Sequence, residues 1–205
     1  MAELTTGVYR LVGLPWFYKA FQELLGARQG RKRLVQLLRP STGDRILDLG
    51  CGSAAILEEM PADVKYVGID QNSKHIESAR KKYGARGYFH AGSFADAGVH
   101  AGEQYDLIFA LGLLHHLDDA EVNELLQLVY PMLAPNGRFL TIDPVYTSGQ
   151  SRIAHFLIKN DSGRNVRSES SYLSLSKSVF ESVRSVILHD MLRVPYTHCF
   201  IEHRK

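Results

Sequence analysis

The stretch ILDLGCGSA, residues 46–54, delivers Asp48 two residues before Gly50, with Cys51 between Gly50 and Gly52. Glycines that follow a strand let a ligand approach the backbone closely, and the G-x-G-x-x-A pattern is shared by nicotinamide, flavin and adenosyl binders. A second acid, Asp70, stands twenty residues beyond Gly50, where a carboxylate can bind a ribose diol. Asp48 separates the alternatives on electrostatic grounds. An ionised acid there opposes an incoming pyrophosphate but welcomes S-adenosylmethionine, which carries a sulfonium and an ammonium and no phosphate.

His115 and His116 form the next group. A neutral imidazole can take a proton from an attacking hydroxyl, and adjacent histidines point in different directions, so only one is expected to face an acceptor. His-His-Leu-Asp-Asp at 115–119 has a metal-like look, but Asp118 is equally explained as a helix cap, and no metal is expected. Asp143 and Tyr146 are further candidates for the acceptor pocket. Arg164 and Arg167 with Tyr172 could grip a carboxylate or phosphate; Arg193, Tyr196 and His198 could converge on the same acceptor. The aromatic run that includes Tyr9 and Tyr18 reads as a lid or as core.

These residues need elements to hold them. RILDLG, YVGID, YFHAG, YDLIFAL and RFLTID read as five strands between Arg45 and Asp143, alternating with helical segments. That alternation produces right-handed crossovers and a parallel sheet. A helix is expected directly after the glycine loop. Asn72 reads as the N-cap of another helix, and Asp118 with Glu121 as a capping box. Val122, Leu125, Leu126, Val129, Met132 and Leu133 form the apolar stripe behind that box, which is expected to stop at Pro135-Asn136-Gly137. SVRSVILHD and THCFIEH read as closing strands.

The chain has 205 residues and a formal net charge of +2, which gives no long-range field for nucleic acid or an anionic membrane. Arg28, Arg31, Lys32 and Arg33 form a short basic cluster that fits either a solvated helix face or an RNA contact. Two cysteines, Cys51 and Cys199, suit neither a disulfide framework nor a zinc site. Without a signal-like start or an apolar run of the ~18 residues a span needs, a soluble cytoplasmic protein is expected. Nothing in the composition specifies an oligomeric state.

In order and spacing, RILDLGCGSA, YVGIDQNSKHIESAR, YDLIFALGLLHHL and MLAPNGRFLTIDP resemble four successive signature segments of class I S-adenosylmethionine-dependent methyltransferases of the small-molecule type. The resemblance covers residues 45–144. It implies an α/β, Rossmann-like fold: a mostly parallel seven-stranded sheet, helices on both faces and an antiparallel last strand. It further implies one domain over 1–205, with a helical lid at 1–40, a cofactor core at 45–144, a substrate-side helical insertion at 145–178 and closing strands at 179–205. Asp48, Gly50, Cys51 and Gly52 would form the cofactor loop, Asp70 would hold the ribose and Gln71 would lie beside the adenine. Ala110 and Leu111 would border the methionine portion. Ser93 or Asp96 would meet the adenine amino group, with Phe94 flanking the base. The reaction implied is methyl transfer from S-adenosylmethionine to a small-molecule acceptor, read here as an oxygen of an anionic metabolite. The alternatives are an RNA or protein methyltransferase, or a regulator that binds the cofactor without turnover.

Overall fold

Residues 27–93, 102–161, 163–192 and 195–205 are described by the computed structural model. The expectations for Tyr9, Tyr18, Phe94, Asp96 and Arg193 lie outside the described residues.

Helix α1 (Ala27–Leu38) leads into strand β1 (Arg45–Leu49), followed by β2 (Lys65–Asp70), helix α2 (Ser73–Tyr83), β3 (Gly87–Ala91) and β4 (Tyr105–Leu111). Helix α3 (Asp119–Met132) then precedes β5 (Leu133–Tyr146), helix α4 (Arg152–Lys159) and the two-residue strand β6 (Arg167–Ser168). Helix α5 (Glu169–Lys177), β7 (Ser182–Leu188) and β8 (His198–Arg204) complete the chain. Seven strands pair in the order β3-β2-β1-β4-β5-β8-β7, and β6 adds a short parallel pairing to β5. Strands β1 to β5 are mutually parallel, whereas β8, last in the chain, runs antiparallel to both β5 and β7.

Strands β1 to β4 begin and end within about one residue of where the sequence places them, and β1, β2 and β4, inside the sheet, carry the apolar runs that cover on both faces requires, whereas β5 extends beyond the expected RFLTID at both ends. Alternate residues serve different layers. Leu47, Leu49, Ile108 and Ala110 pack with Val122, Leu125, Leu126 and Val129 of α3 and with Tyr172 of α5. Ile46, Leu107 and Phe109 pack with Leu38 of α1 and with Ile76 and Ala79 of α2.

Both caps form as the sequence implies. Asn72 accepts from the Lys74 amide, and Asp118 and Glu121 satisfy each other's backbone amides. The α3 stripe ends one residue earlier than expected: Leu133 is already extended and pairs with Tyr105. The Pro135-Asn136-Gly137 stretch is a register shift inside β5, and Gly137 is needed there because a β-carbon would lie 2.6 Å from the Tyr105 carbonyl oxygen.

The helix expected after the glycine loop does not form. Only a 3-10 turn, Ala55–Glu59, lies between β1 and β2. Pro61 follows Met60 immediately and cannot continue a helical hydrogen-bond ladder, so the turn stops there. The basic cluster in α1 faces acids: Arg28 meets Glu59 at 3.3 Å, Arg31 meets Glu58 at 3.1 Å and Arg33 meets Asp190 at 3.6 Å. No helix among the described residues is long and apolar enough to cross a membrane.

Candidate active site

The β1 exit turns on residues of positive φ: Gly50 at 78°, Gly52 at 55° and Ala54 at 54°. Glycine adopts this region at little cost. Asp70, at the end of neighbouring β2, accepts the Gly52 amide at 2.8 Å with one carboxylate oxygen and the Asn72 amide at 2.8 Å with the other. The ribose-binding candidate thus also ties the glycine loop to the head of α2. Around Gly52 a β-carbon would find nothing within 4 Å, so the loop borders open space.

Asp48 differs from its expected role as an ionised acid. It is 2% exposed, its carboxylate accepts the Tyr66 hydroxyl, and burial, together with Asp70, pushes it up to about 7. Cys51 fills the groove left by Gly68, where a β-carbon would lie 2.9 Å from Sγ. Burial pushes its thiol well above the usual range, which removes it as a nucleophile.

At the next strand ends, β4 and β5 bring His115 and Asp143 together. The chain leaves β4 through Gly112, at φ 66°, into a short turn, Leu114–His116. There the His115 amide and ring Nδ1 both meet Asp143 Oδ1, at 3.1 and 2.8 Å. Nε2 lies 3.3 Å from Oδ1 of Asp161, a residue that the sequence reading passed over. Asp161 Oδ2 accepts the Tyr196 hydroxyl at 2.7 Å. Burial by itself favours a neutral His115, but the two carboxylates outweigh it and raise His115 to about 9. His116 is exposed, its ring centroid 4.1 Å from that of His115; partial burial and the adjoining imidazolium lower its pKa. His198 is pushed down to about 4 by burial and by His115. Two buried atoms near this cluster have no hydrogen-bond partner among the described residues: Asp143 Oδ2 and His198 Nδ1.

Residues 47–139 match a family model described as a methyltransferase domain. The chain is 36% identical over 106 residues to the ubiquinone biosynthesis O-methyltransferase of Azorhizobium caulinodans, covering 49% of this chain and 40% of that protein. It is 31% identical over 125 residues to aklanonic acid methyltransferase DauC of a Streptomyces species, covering 58% and 56%. The match therefore spans about half the length of these curated relatives. The fold is similar to human N-acetylserotonin methyltransferase, solved in complex with S-adenosylmethionine, with a TM-score of 0.68 and 19% identity over 98% of this chain and 59% of that one. Over residues 47–139 the chain is similar to methyltransferase domains, in a fold shared with a methyltransferase that binds S-adenosylmethionine.

The crevice at the ends of β1 and β2 has residues that fit S-adenosylmethionine. Its glycine loop carries no basic side chain to hold a phosphate, and an acid closes the end of β2. Gln71 is exposed beside Asp70, Ser93 is half-buried after β3, and Ala110 and Leu111 lie at the end of β4 next to β1.

On the acceptor side, two expectations need correction. Arg167 does not grip an acceptor, because its guanidinium is consumed by protein: Asp119, and the carbonyls of Leu114, Leu117 and Asn165, all within 3.0 Å. Tyr172 is buried beneath that guanidinium, 5.6 Å from its ring centroid, and donates to the Pro144 carbonyl at 3.1 Å. Arg164 stays exposed. Tyr146 is half-buried, its ring 5.3 Å from that of His155. Asp143, Tyr196 and His198 do gather around His115, so three separate stretches of sequence meet at one cluster. Among the described residues, no set of three His, Cys, Asp or Glu side chains is arranged to hold a metal.

Proposed function

We propose that the protein methylates an oxygen of a small, uncharged molecule, using S-adenosylmethionine. The observation that carries this reading is the Asp143–His115 pair at the exits of neighbouring parallel strands, beside the glycine crevice. An imidazole oriented at Nδ1 by a buried carboxylate is suited to take a hydroxyl proton at Nε2. The cofactor, when bound, supplies an electrophilic methyl group on a sulfonium. The chain's own residues hold the ribose through Asp70, leave room for the methionine portion with Gly50 and Gly52, and receive the acceptor's proton at His115.

The anionic acceptor expected from the arginines loses two of its supports, since Arg167 and Tyr172 are tied into the fold. Two carboxylates, Asp143 and Asp161, surround a single imidazolium and disfavour a negatively charged acceptor on Coulombic grounds. The names of the two curated relatives, one an O-methyltransferase and the other a methyltransferase of aklanonic acid, support small-molecule chemistry. Their matched span supports it only for the core. The test is S-adenosylhomocysteine formation against paired panels of neutral hydroxyl compounds and their carboxylate or phosphate counterparts. Turnover confined to the anionic members, or to RNA or protein, would overturn the proposal.

A further inference from the structure

Nε2 of His115, the nitrogen that the proposed reaction needs, is covered by this chain. Asp161 follows α4 and turns back over the imidazole. Its Oδ1, 3.3 Å from Nε2, also accepts the Gly163 amide at 3.0 Å, and the Asn165 amide donates to the His115 carbonyl at 2.9 Å. A β-carbon on Gly163 would overlap the imidazole, so the backbone there lies directly on the ring. The Tyr196 hydroxyl holds the other oxygen of Asp161. An imidazole facing carboxylates at both nitrogens carries both protons, and in that form it cannot accept another.

We infer that Asp161 is a positioning residue that occupies the acceptor's place on His115, and that an acceptor hydroxyl must displace it before His115 can act. The inference rests on His115 being the base. Of its two carboxylate partners, only Asp161 is free to leave. The Asp143 side chain is 2% exposed and belongs to central strand β5, whereas that of Asp161 is 22% exposed and lies in a connection that water can reach. When Asp161 swings out, water replaces His115 as its partner at modest cost; an unpaired Asp143 would have no such replacement.

The other titratable groups around the ring are His116, tilted against it with centroids 4.1 Å apart, and His198 from β8, which burial keeps neutral; neither supplies a negative charge to replace Asp161. Two opposite charges thus hold the proton on His115, and removing one releases it at lower pH. Burial tends to expel that proton and the carboxylates retain it, so removal of the Asp161 charge moves the titration down from about 9. A charge at this distance shifts a pKa by about one unit or more.

The test uses the full chain and two nearly isosteric variants, Asp161→Asn and Tyr196→Phe, with S-adenosylhomocysteine binding as the check that each is folded. NMR titration of the His115 ring without acceptor is expected to show Asp161→Asn protonating at least about one unit lower than wild type, with Tyr196→Phe shifted less in the same direction. The rising limb of kcat/KM against pH is expected to move down with it, giving roughly tenfold higher kcat/KM near pH 7, mainly through KM. A His115 titration unchanged in Asp161→Asn overturns the inference, as does a pH profile that superimposes on wild type. If wild type transfers no methyl group to any hydroxyl acceptor, the function reading fails by itself; the ring titration still decides whether Asp161 holds the proton.

Discussion

One oxygen of Asp143 holds His115 at two points, accepting its backbone amide and its ring Nδ1–H. The residue's position and its ring orientation are therefore set together, by a side chain on a strand that is hydrogen-bonded to the one His115 follows. Asp143→Asn keeps the shape and removes the charge. Turnover is expected to fall by roughly 100-fold or more, the usual contribution of a positioned base, with His115→Ala falling at least as far. Affinity for S-adenosylhomocysteine should stay at its wild-type value in both. Steady-state kinetics beside calorimetry checks this, and wild-type turnover in the two variants would remove the dyad from the mechanism.

Asp70 serves both the ligand and the loop, since its two oxygens hold the amides of Gly52 and Asn72. Asp70→Ala is expected to weaken S-adenosylhomocysteine binding by about 10- to 100-fold, the range for losing charge-assisted hydrogen bonds of about 1.5–3 kcal/mol. Asp70→Asn, which keeps one acceptor oxygen, should fall between. Calorimetric titration reads both, and unchanged affinity in Asp70→Ala would detach this residue from the cofactor.

Arg167 is a tie and not a substrate clamp, which makes a direct prediction. Arg167→Met strands the carbonyls of Leu114, Leu117 and Asn165. At about 1–3 kcal/mol for each buried unpaired group, the loss of stability should reach roughly 3 kcal/mol. Urea unfolding measures it. A variant of wild-type stability with a raised KM for acceptor would restore the clamp.

His203 is fully buried, with its ring nitrogens on the Phe139 carbonyl and the Ser176 hydroxyl, and burial pushes it down to about 4. The folded state thus binds this proton less readily than the unfolded chain, whose histidine titrates near 6.5. Its neutral form supports the fold fully above pH 6.5, and that support is lost as pH falls from 6.5 towards 4, by about 3 kcal/mol at most. His115 has the opposite sign: its contribution is complete below 6.5 and is lost as pH rises through about 9. Asp48, raised to about 7, and His198, lowered to about 4, titrate in the same acid range with opposite signs, so the His203 part is read from the difference in unfolding free energy between wild type and His203→Gln. A difference that does not shrink as pH falls from 6.5 to 4 would contradict the buried neutral His203.

The sequence by itself determined the positions of β1 to β4, the two helix caps and the glycine loop with its acid at Asp70. Each depends on neighbours a few residues away: an apolar run long enough to cross a sheet, a carboxylate three residues from the amide it caps, glycines where φ is positive. Tertiary structure alone decided what the isolated residue types left open. Asp48 looked like a free acid until Tyr66 of the adjoining strand and the surrounding core took it out of water. Arg167 looked like an anion clamp until the turn carrying His115 presented its carbonyls. Asp161, in a segment singled out for its arginines, gained its place from a loop that returns 46 residues later in the chain to cover His115. Ionisation and hydrogen bonding depend on which groups approach through space, and for these side chains every decisive partner is distant in sequence.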